Sequence, residues 1–253
     1  MLQPLVPRSA PAHPALQPAK PEKPANSLLA LLSASDLNEL KPHLEPVHLQ
    51  LGDRIYAPRV RQNHAYFPTT AIVSLHHVLD SGASAEVASV GHEGMVGVCI
   101  FMGGESSANS GMVQVAGSAL RIARLPLQNA FMRGGMFQKA LLLYTQGLSN
   151  HIMWTAACNR HHRIDQQLCR WLLLTLDRCT DAELIITQEL VANTLGVRRE
   201  AITEAAGKLQ QAGLIRYRRG HITVLDRAGL EARVCECYAS ISSEMRRLMQ
   251  NIA

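Results

Sequence analysis

Two adjacent side chains of opposite charge, Arg199 and Glu200, have the chemistry needed to read the edges of nucleic-acid bases. A guanidinium can donate to O6 and N7 of one guanine together, and a carboxylate can accept from N4 of cytosine. Thr203 and Glu204 follow one helical turn later, so they can reach neighbouring base pairs. The ordinary alternative is that these are solvated charges at a helix start, where the helix dipole also favours Glu200.

The surrounding segment is locally basic, with six basic and two acidic residues between Arg198 and Arg219. Such a basic face is typical of phosphate binding. Contacts to phosphate position a protein on the duplex without reading its sequence. The candidates for these contacts are Thr187, Arg198, Lys208, Arg216, Arg218 and Arg219.

The elements that must position these residues form a winged helix-turn-helix, which we assign to residues 161–237. Thr187 is expected to cap the first helix, because its hydroxyl can accept a free backbone N–H. Gly196 lies at the turn, where a residue without Cβ adopts positive φ at little cost. Two strands around Arg219 and Gly220 then form the wing.

The residues before this domain change in character along the chain. Residues 1–26 contain seven of the twelve prolines and are predicted to be a disordered tail. From residue 47 to 124, seven short alternating runs separated by Gly and Pro predict an all-β, jelly-roll-like domain. We assign this β domain, called the β-roll below, to residues 27–125, within an α+β fold.

A long helix is predicted over residues 126–160, followed after the winged domain by a helical tail at 238–253. The apolar residues of the long helix have the 4-3-4 spacing of a coiled-coil seam, which predicts a dimer interface. The ordinary alternative is one buried helix packed on the β-roll. The residues assigned to this interface are Phe137, Leu141, Tyr144, Leu148 and Ile152.

The whole chain has 253 residues, a net charge of +5 and six cysteines without a disulfide framework. It contains no membrane-length apolar run and no signal peptide, so a cytoplasmic location is expected. The pair Cys235-x-Cys237 lacks metal-site spacing and has no Cys or His partner close in sequence, so no metal site is predicted. No nucleophile–base spacing or phosphate loop indicates an enzyme.

These residues resemble the Crp/Fnr superfamily of bacterial transcription regulators across residues 30–237. The strongest matches are NRHHRIDQQLCRWLLLTLDR, TQELVANTLGVRREAITEAAGKLQQAGLI and RGHITVLDRAGLE. In that family an Arg-Glu pair after the turn contacts bases, and Arg199 and Glu200 occupy those positions. Glu204 stands where a further Arg is frequent, so the family's operator code does not transfer completely.

The resemblance implies that the β-roll is a cyclic-nucleotide-binding-like sensor domain. It departs from the cyclic-AMP-binding members, which carry a Gly-Glu pair and an Arg in the phosphate-binding loop. Gly97 is present, but Val98 follows it, and no Arg lies between Glu93 and Gly117. Because a phosphate there would lack a cationic partner, we predict a degenerate effector pocket that does not bind cyclic AMP. The effector itself is left open, and no cofactor is predicted.

Other members of the family sense through an iron–sulfur cluster or a haem. The N-terminal tail has no Cys for an iron–sulfur cluster. Haem ligation remains open through His76, His77 or His92, although surface histidines are the ordinary interpretation.

The resemblance therefore implies a homodimeric transcription regulator whose partners are double-stranded DNA and RNA polymerase. A pseudo-palindromic operator is expected from the two-fold symmetry of such a dimer. The alternative is a small-ligand sensor that acts mainly through protein–protein contacts, against which the basic wing argues.

Overall fold

The computed structural model describes residues 26–179, 183–218 and 220–251. The first described residue, Asn26, is fully buried. Its side chain accepts from Leu29 N and donates to the carbonyls of Pro68 and Gly94 at 2.8 Å each. Asn26 therefore belongs to the folded domain and not to the predicted tail, whose other residues lie outside the described part of the chain.

The first domain opens with short helices and continues as seven strands. The helices are α1 (Ser27–Ala30) and α2 (Ala34–Leu40), followed by a 3-10 turn at Lys41–His43. The strands are β1 (Leu44–Leu49), β2 (Arg54–Tyr56), β3 (His64–Pro68), β4 (Ile72–Val78), β5 (Ser84–Val90), β6 (Ser110–Val115) and β7 (Gly117–Ala123). Each of the seven predicted strand segments is confirmed, with shifts of a few residues at the ends.

The strands form two antiparallel sheets with the orders β1-β7-β3 and β2-β6-β4-β5. Strand sequences that alternate apolar and polar residues send alternate side chains to opposite faces of a sheet. Buried side chains of both sheets, including Phe67, Val73, Val113 and Ile122, meet in one hydrophobic core. The predicted α+β fold with an N-terminal β domain is confirmed.

The predicted long helix is two helices, α3 (Arg124–Met132) and α4 (Gly135–His161). The helix is interrupted at Gly134 and Gly135, whose φ angles are +82° and +74°. Glycine adopts this left-handed region without the strain that a Cβ imposes, so the two glycines allow a sharp change of direction. Only α4, with 27 residues, is long enough to extend beyond the β-roll.

The seam predicted for dimerisation faces the interior of the same chain. Phe137, Leu141, Tyr144 and Leu148 are all buried in the core of the β-roll domain, and Ile152 is half-buried against it. Tyr144 also donates its hydroxyl to the carbonyl of Met95 at 2.8 Å. The assignment of these residues to a dimer interface is therefore wrong, because an apolar stripe records burial but not which surface buries it.

The second domain contains the remaining elements. They are α5 (Ile164–Leu176), β8 (Glu183–Ile185), α6 (Gln188–Leu195), α7 (Arg199–Gln211), β9 (Ile215–Arg218), β10 (His221–Val224), α8 (Arg227–Glu231) and α9 (Cys237–Gln250). Apolar residues of α5, α6 and α7 share a second core with Ile215 and Ile222 of the wing. The wing sheet has three strands in the order β8-β10-β9, where the sequence predicted two.

The C-terminal helix α9 returns to pack along α4. A side chain at Gly147 would lie 2.9 Å from the sulfur of Met245, so the absence of a Cβ lets the two helices approach. Asn150 of α4 donates to Glu244 of α9 at 3.1 Å. Within the described residues, no helix combines the length and apolarity required to cross a membrane.

Candidate nucleic-acid interface

The first helix of the candidate site begins and ends as its sequence predicts. Thr187 accepts from Leu190 N at 3.2 Å and so caps α6. Gly196 follows the helix with φ +66°, a conformation that favours glycine. Arg198 then precedes α7, so the two helices are joined by a short turn.

The second helix buries one face and exposes the other. Ile202, Ala205, Ala206 and Leu209 are buried in the second core. At about 100° per residue, the four candidate readout residues fall within an arc of roughly 140° on the opposite face. Arg199, Glu200, Thr203 and Glu204 are all exposed. The structure thus brings these polar side chains together on the solvent side of α7.

Thr203 has a partner that sequence reasoning missed. Its Oγ1 lies 3.1 Å from Oε1 of Gln188, at the start of α6, and 3.1 Å from the carbonyl of Arg199. Because Gln188 accepts this hydrogen bond, its amide nitrogen is left to donate elsewhere on the same surface. The two residues are 15 positions apart, so only the packing of α6 against α7 reveals the pair.

Glu204 and Lys208 form an exposed ion pair, with 2.6 Å between Oε1 and Nζ. The hydrogen bond and charge of Lys208 lower the pKa of the Glu204 carboxyl. Lys208 was predicted to contact phosphate, and here its charge is shared with Glu204. Such an exposed i,i+4 pair contributes little to stability, so a phosphate oxygen can compete with it.

Two arginines of the wing are exposed on the same face of strand β9. Strand β9 pairs antiparallel with β10, and Arg216 and Arg218 are exposed while Ile215 is buried. Tyr217 is half-buried, with its hydroxyl 3.4 Å from the carbonyl of Ile186. Arg219, the other predicted wing arginine, lies outside the described residues.

A shallow depression separates the wing from the two helix starts. It is lined by Thr187, Gln188, Arg199, Tyr217 and Gly220. Of the predicted residues, it gathers Thr187 and Arg199, whereas Lys208 lies two turns further along α7. The depression is open to solvent, so its polar groups are accessible to a large partner.

The loop predicted to be a degenerate effector pocket packs against other residues of the β-roll. Gly97 has φ +104°, and a Cβ there would lie 3.2 Å from Cα of Ala65. The residues after it form a 3-10 turn at Val98–Ile100, in which Cys99 and Ile100 are buried. The loop therefore packs as part of the core, with Val98 half-buried.

The three histidines considered for haem have different surroundings. His76 is buried, against the expectation of a surface residue, and lies 2.8 Å from the hydroxyl of Ser74. Its neighbour His77 is exposed on the opposite face of β4. His92 Nδ1 lies 3.1 Å from the hydroxyl of Ser27.

The structure supplies partners for Cys235 and Cys237 that sequence spacing did not. Cys158 and His162, at the end of α4, bring their side chains within 4.8 Å of both. Spacing in the sequence could not reveal these neighbours, because they are more than 70 residues away along the chain.

Comparison with known proteins agrees with this description. Residues 166–233 match the model of the Crp-like helix-turn-helix domain. The Global nitrogen regulator of Synechococcus elongatus is 24% identical over 220 residues, which cover 81% of this chain and 96% of that protein.

Solved structures share the fold. FixK2 from Bradyrhizobium japonicum has a TM-score of 0.63 at 16% identity, covering 76% of this chain and 98% of its own. A transcriptional regulator of the Crp/Fnr family from Thermus thermophilus has a TM-score of 0.58 at 22% identity, covering 74% and 97%. Residues 166–233 of this chain therefore form a Crp-like helix-turn-helix domain, and the chain shares its overall fold with regulators of the Crp/Fnr family.

Proposed function

We propose that this protein is a transcription regulator of the Crp/Fnr type that binds a specific DNA operator as a homodimer, with α7 of each copy in the major groove. The observation that carries the proposal is the face of α7, where Arg199, Glu200, Thr203 and Glu204 are exposed above a fully packed inner face. A helix held rigidly from behind can present polar side chains to base edges in a fixed register.

Arg199 and Glu200 are the residues to which we assign base readout. Arg199 is suited to guanine and Glu200 to cytosine, and both sit in the first turn of α7, the part of a recognition helix that contacts bases. Thr203 and Glu204 lie one turn deeper. The hydrogen bond from Thr203 to Gln188 supports adding Gln188 to this set, because its amide is held beside them.

Phosphate contacts are assigned to the residues that flank this face. Thr187 and Arg198 lie at helix starts, where backbone N–H groups and the helix dipole also favour an anion. Arg216 and Arg218 are exposed on the wing, from which they would reach a neighbouring strand of DNA. Lys208 and Arg219 complete the set that the sequence predicts.

The dimer is assigned to the outward face of α4, in place of the buried seam. Exposed residues recur there with 4-3-4-3-4 spacing, at Leu142, Gln146, Ser149, Met153, Ala156 and Arg160. Leu142 is 53% exposed and Met153 is 61% exposed, which is unfavourable for apolar side chains in water. A second copy with the same stripe would cover both across a two-fold axis.

Two-fold symmetry then sets the operator. Two copies of α7 would enter successive major grooves about 34 Å apart, so the operator is a pseudo-palindrome with half-sites about one turn apart. Regulation would follow from contact with RNA polymerase at such sites. We further propose that cyclic AMP is not the effector, since Val98 and the packed loop offer no partner for its phosphate.

Selection of DNA from a random pool by the purified protein tests the proposal. We expect the recovered fragments to share one inverted repeat, and labelled fragments to be shifted by the protein in gels at physiological salt. Recovered DNA without a common sequence, or DNA binding no stronger than nonspecific binding, would contradict it and favour a ligand sensor that acts through protein contacts. Titration calorimetry with cyclic AMP tests the effector separately, and micromolar binding would refute that part.

A further inference from the structure

Four side chains with metal-binding atoms converge beside the start of α9. Cys158 lies in the last turn of α4, and His162 follows it by four residues, so both project from the same side of the helix end. Cys235 and Cys237 lie on either side of Glu236, the residue that precedes α9. All four ligand atoms lie within 4.8 Å of one another.

The spacing of these atoms fits one tetrahedral ion. Cys158 Sγ and Cys235 Sγ are 3.5 Å apart, and Cys237 Sγ and His162 Nδ1 are also 3.5 Å apart. Zinc bonds of about 2.3 Å to sulfur and about 2.0–2.1 Å to nitrogen place tetrahedral ligands roughly 3.6–3.8 Å apart. Small side-chain movements would therefore complete the geometry without moving the backbone.

The cluster is enclosed by protein. Cys158, Cys235 and Cys237 are no more than 3% exposed, and Trp154 and Val234 pack against them. A single buried thiol is an ordinary small apolar residue. Apolar packing, however, gives no reason for three thiols and an imidazole from two distant segments to point at one another.

The histidine is also oriented as a metal ligand. Its Nδ1 faces the thiols, while Nε2 lies 3.3 Å from a carboxylate oxygen of Glu236. A ligating histidine usually donates its other ring N–H to a carboxylate, which fixes the ring orientation and the tautomer. Gln167 donates to the carbonyl of His162 at 2.9 Å and holds the backbone of this segment.

We propose that Cys158, His162, Cys235 and Cys237 bind one Zn²⁺ ion in a closed structural site. Three thiols lose their protons to solvent and become thiolate ligands, and neutral His162 coordinates through Nδ1, so the bound unit carries one net negative charge. Four protein ligands leave no open position for catalysis. The close grouping of the ligand atoms leaves space for a single ion and not for a cluster of several irons.

The consequence is a metal clamp between the two domains. It joins the end of α4, which carries the proposed dimer face, to the segment that leaves the DNA-binding domain and starts α9. Zinc would thereby fix the direction in which α9 returns along α4. Two of the ligands precede the DNA-binding domain in sequence and the other two follow it. The ion would therefore also hold that domain's two ends together.

The test uses the full-length protein purified under reducing conditions and analysed for metals by mass spectrometry. We expect one zinc per chain in the wild type and in the control Cys99→Ala, which removes a buried cysteine of the β-roll. Cys237→Ala is expected to lose the zinc. Glu236→Gln is expected to keep the stoichiometry and bind zinc roughly tenfold more weakly, as loss of a histidine-orienting carboxylate does.

Cobalt gives a second measurement that does not depend on how the protein was purified. Metal-free protein titrated with Co²⁺ should develop the strong visible bands of a tetrahedral site and thiolate-to-cobalt absorption, and Zn²⁺ should abolish both. If Cys237→Ala does not fold, His162→Gln with the same titration replaces it. A wild-type protein that binds neither ion, or that contains iron and sulfide instead, would overturn the proposal.

Discussion

Arg178, just after α5, donates from Nε to the carboxylate of Glu93 in the β-roll domain at 2.8 Å. Its NH1 group also donates to Ser89 at 2.8 Å. Both charged side chains are largely buried, at 9% and 20% exposure. Burial raises the pKa of Glu93, but the charge of Arg178 outweighs it, so the pKa lies below its usual value. The DNA-binding domain is thus joined to the β-roll by a charged contact that water barely reaches.

Removing one partner of this pair should destabilise the protein strongly. We expect Arg178→Ala to lower the free energy of unfolding by about 3–5 kcal/mol, because it leaves the Glu93 carboxylate buried without a counter-charge. Denaturant titration measures this loss. Arg163→Ala is the control, since its ion pair with Asp165 is on the surface with Arg163 72% exposed; it should cost no more than about 1 kcal/mol. Equal losses in the two variants would contradict a buried inter-domain ion pair.

Stability should also fall as the pH drops below about 6.5, the ordinary pKa of histidine. Burial lowers the pKa of His151 well below that value, and the charges of Arg178 and Arg170 lower it further. A depressed pKa contributes stability above the unfolded-state pKa, and this contribution is lost as the unfolded chain takes up the proton.

The size of this effect can be isolated with one substitution. Between pH 7.5 and 5.5, His151 should account for about 1.4 kcal/mol of the loss in unfolding free energy. His151→Gln should therefore show a correspondingly smaller difference between the two pH values. The lowered pKa of His76 acts in the same direction and remains in both proteins. An unchanged pH dependence in His151→Gln would show that His151 is not held neutral.

Gly207 offers a test of what lies against α7. A Cβ at this position would meet no atom of the chain within 4 Å, although glycine weakens a helix interior. Gly207→Ala should thus raise the unfolding free energy by about 0.5–1 kcal/mol. Its added methyl lies one helical turn beyond Thr203 and Glu204, so we expect weaker operator binding in fluorescence anisotropy. Greater stability with unchanged DNA affinity would mean that DNA does not approach this part of α7 closely.

The dimer face of α4 can be tested by sedimentation velocity. The double variant Leu142→Glu, Met153→Glu should sediment as a monomer, because four carboxylates would meet where two apolar pairs are expected. Its control is Leu79→Glu, which adds charge at an exposed leucine of the β-roll, 57% exposed. If the double variant stays dimeric with normal stability, the two copies associate through another surface.

Sequence patterns predicted the positions of the helices and strands more reliably than they predicted which surface packs against each apolar face. Seven strand segments, the cap at Thr187 and the turn at Gly196 follow from local chemistry, and the structure contains all of them. The seam of Leu141 and Tyr144 failed because burial against the β-roll and burial against a second copy need the same apolar spacing.

Other features depend on contacts between distant segments. The convergence of Cys158 with Cys235 spans 77 residues, and it exists only because α9 returns along α4. The hydrogen bond between Thr203 and Gln188 likewise requires the packed pair of helices. The third wing strand, β8, has three residues, too few for alternation to reveal. No local pattern in the sequence encodes these relationships.

The central claim, that α7 reads the operator through Arg199, is tested most directly by anisotropy with the selected operator and a scrambled duplex across several salt concentrations. Arg199→Ala should lose about 1–3 kcal/mol on the operator and little on the scrambled DNA, so specificity falls. Arg218→Ala should weaken both similarly and reduce the salt dependence by about one phosphate contact. If Arg199→Ala keeps the wild-type ratio of affinities for the two duplexes, the assignment of base readout to this helix face is wrong.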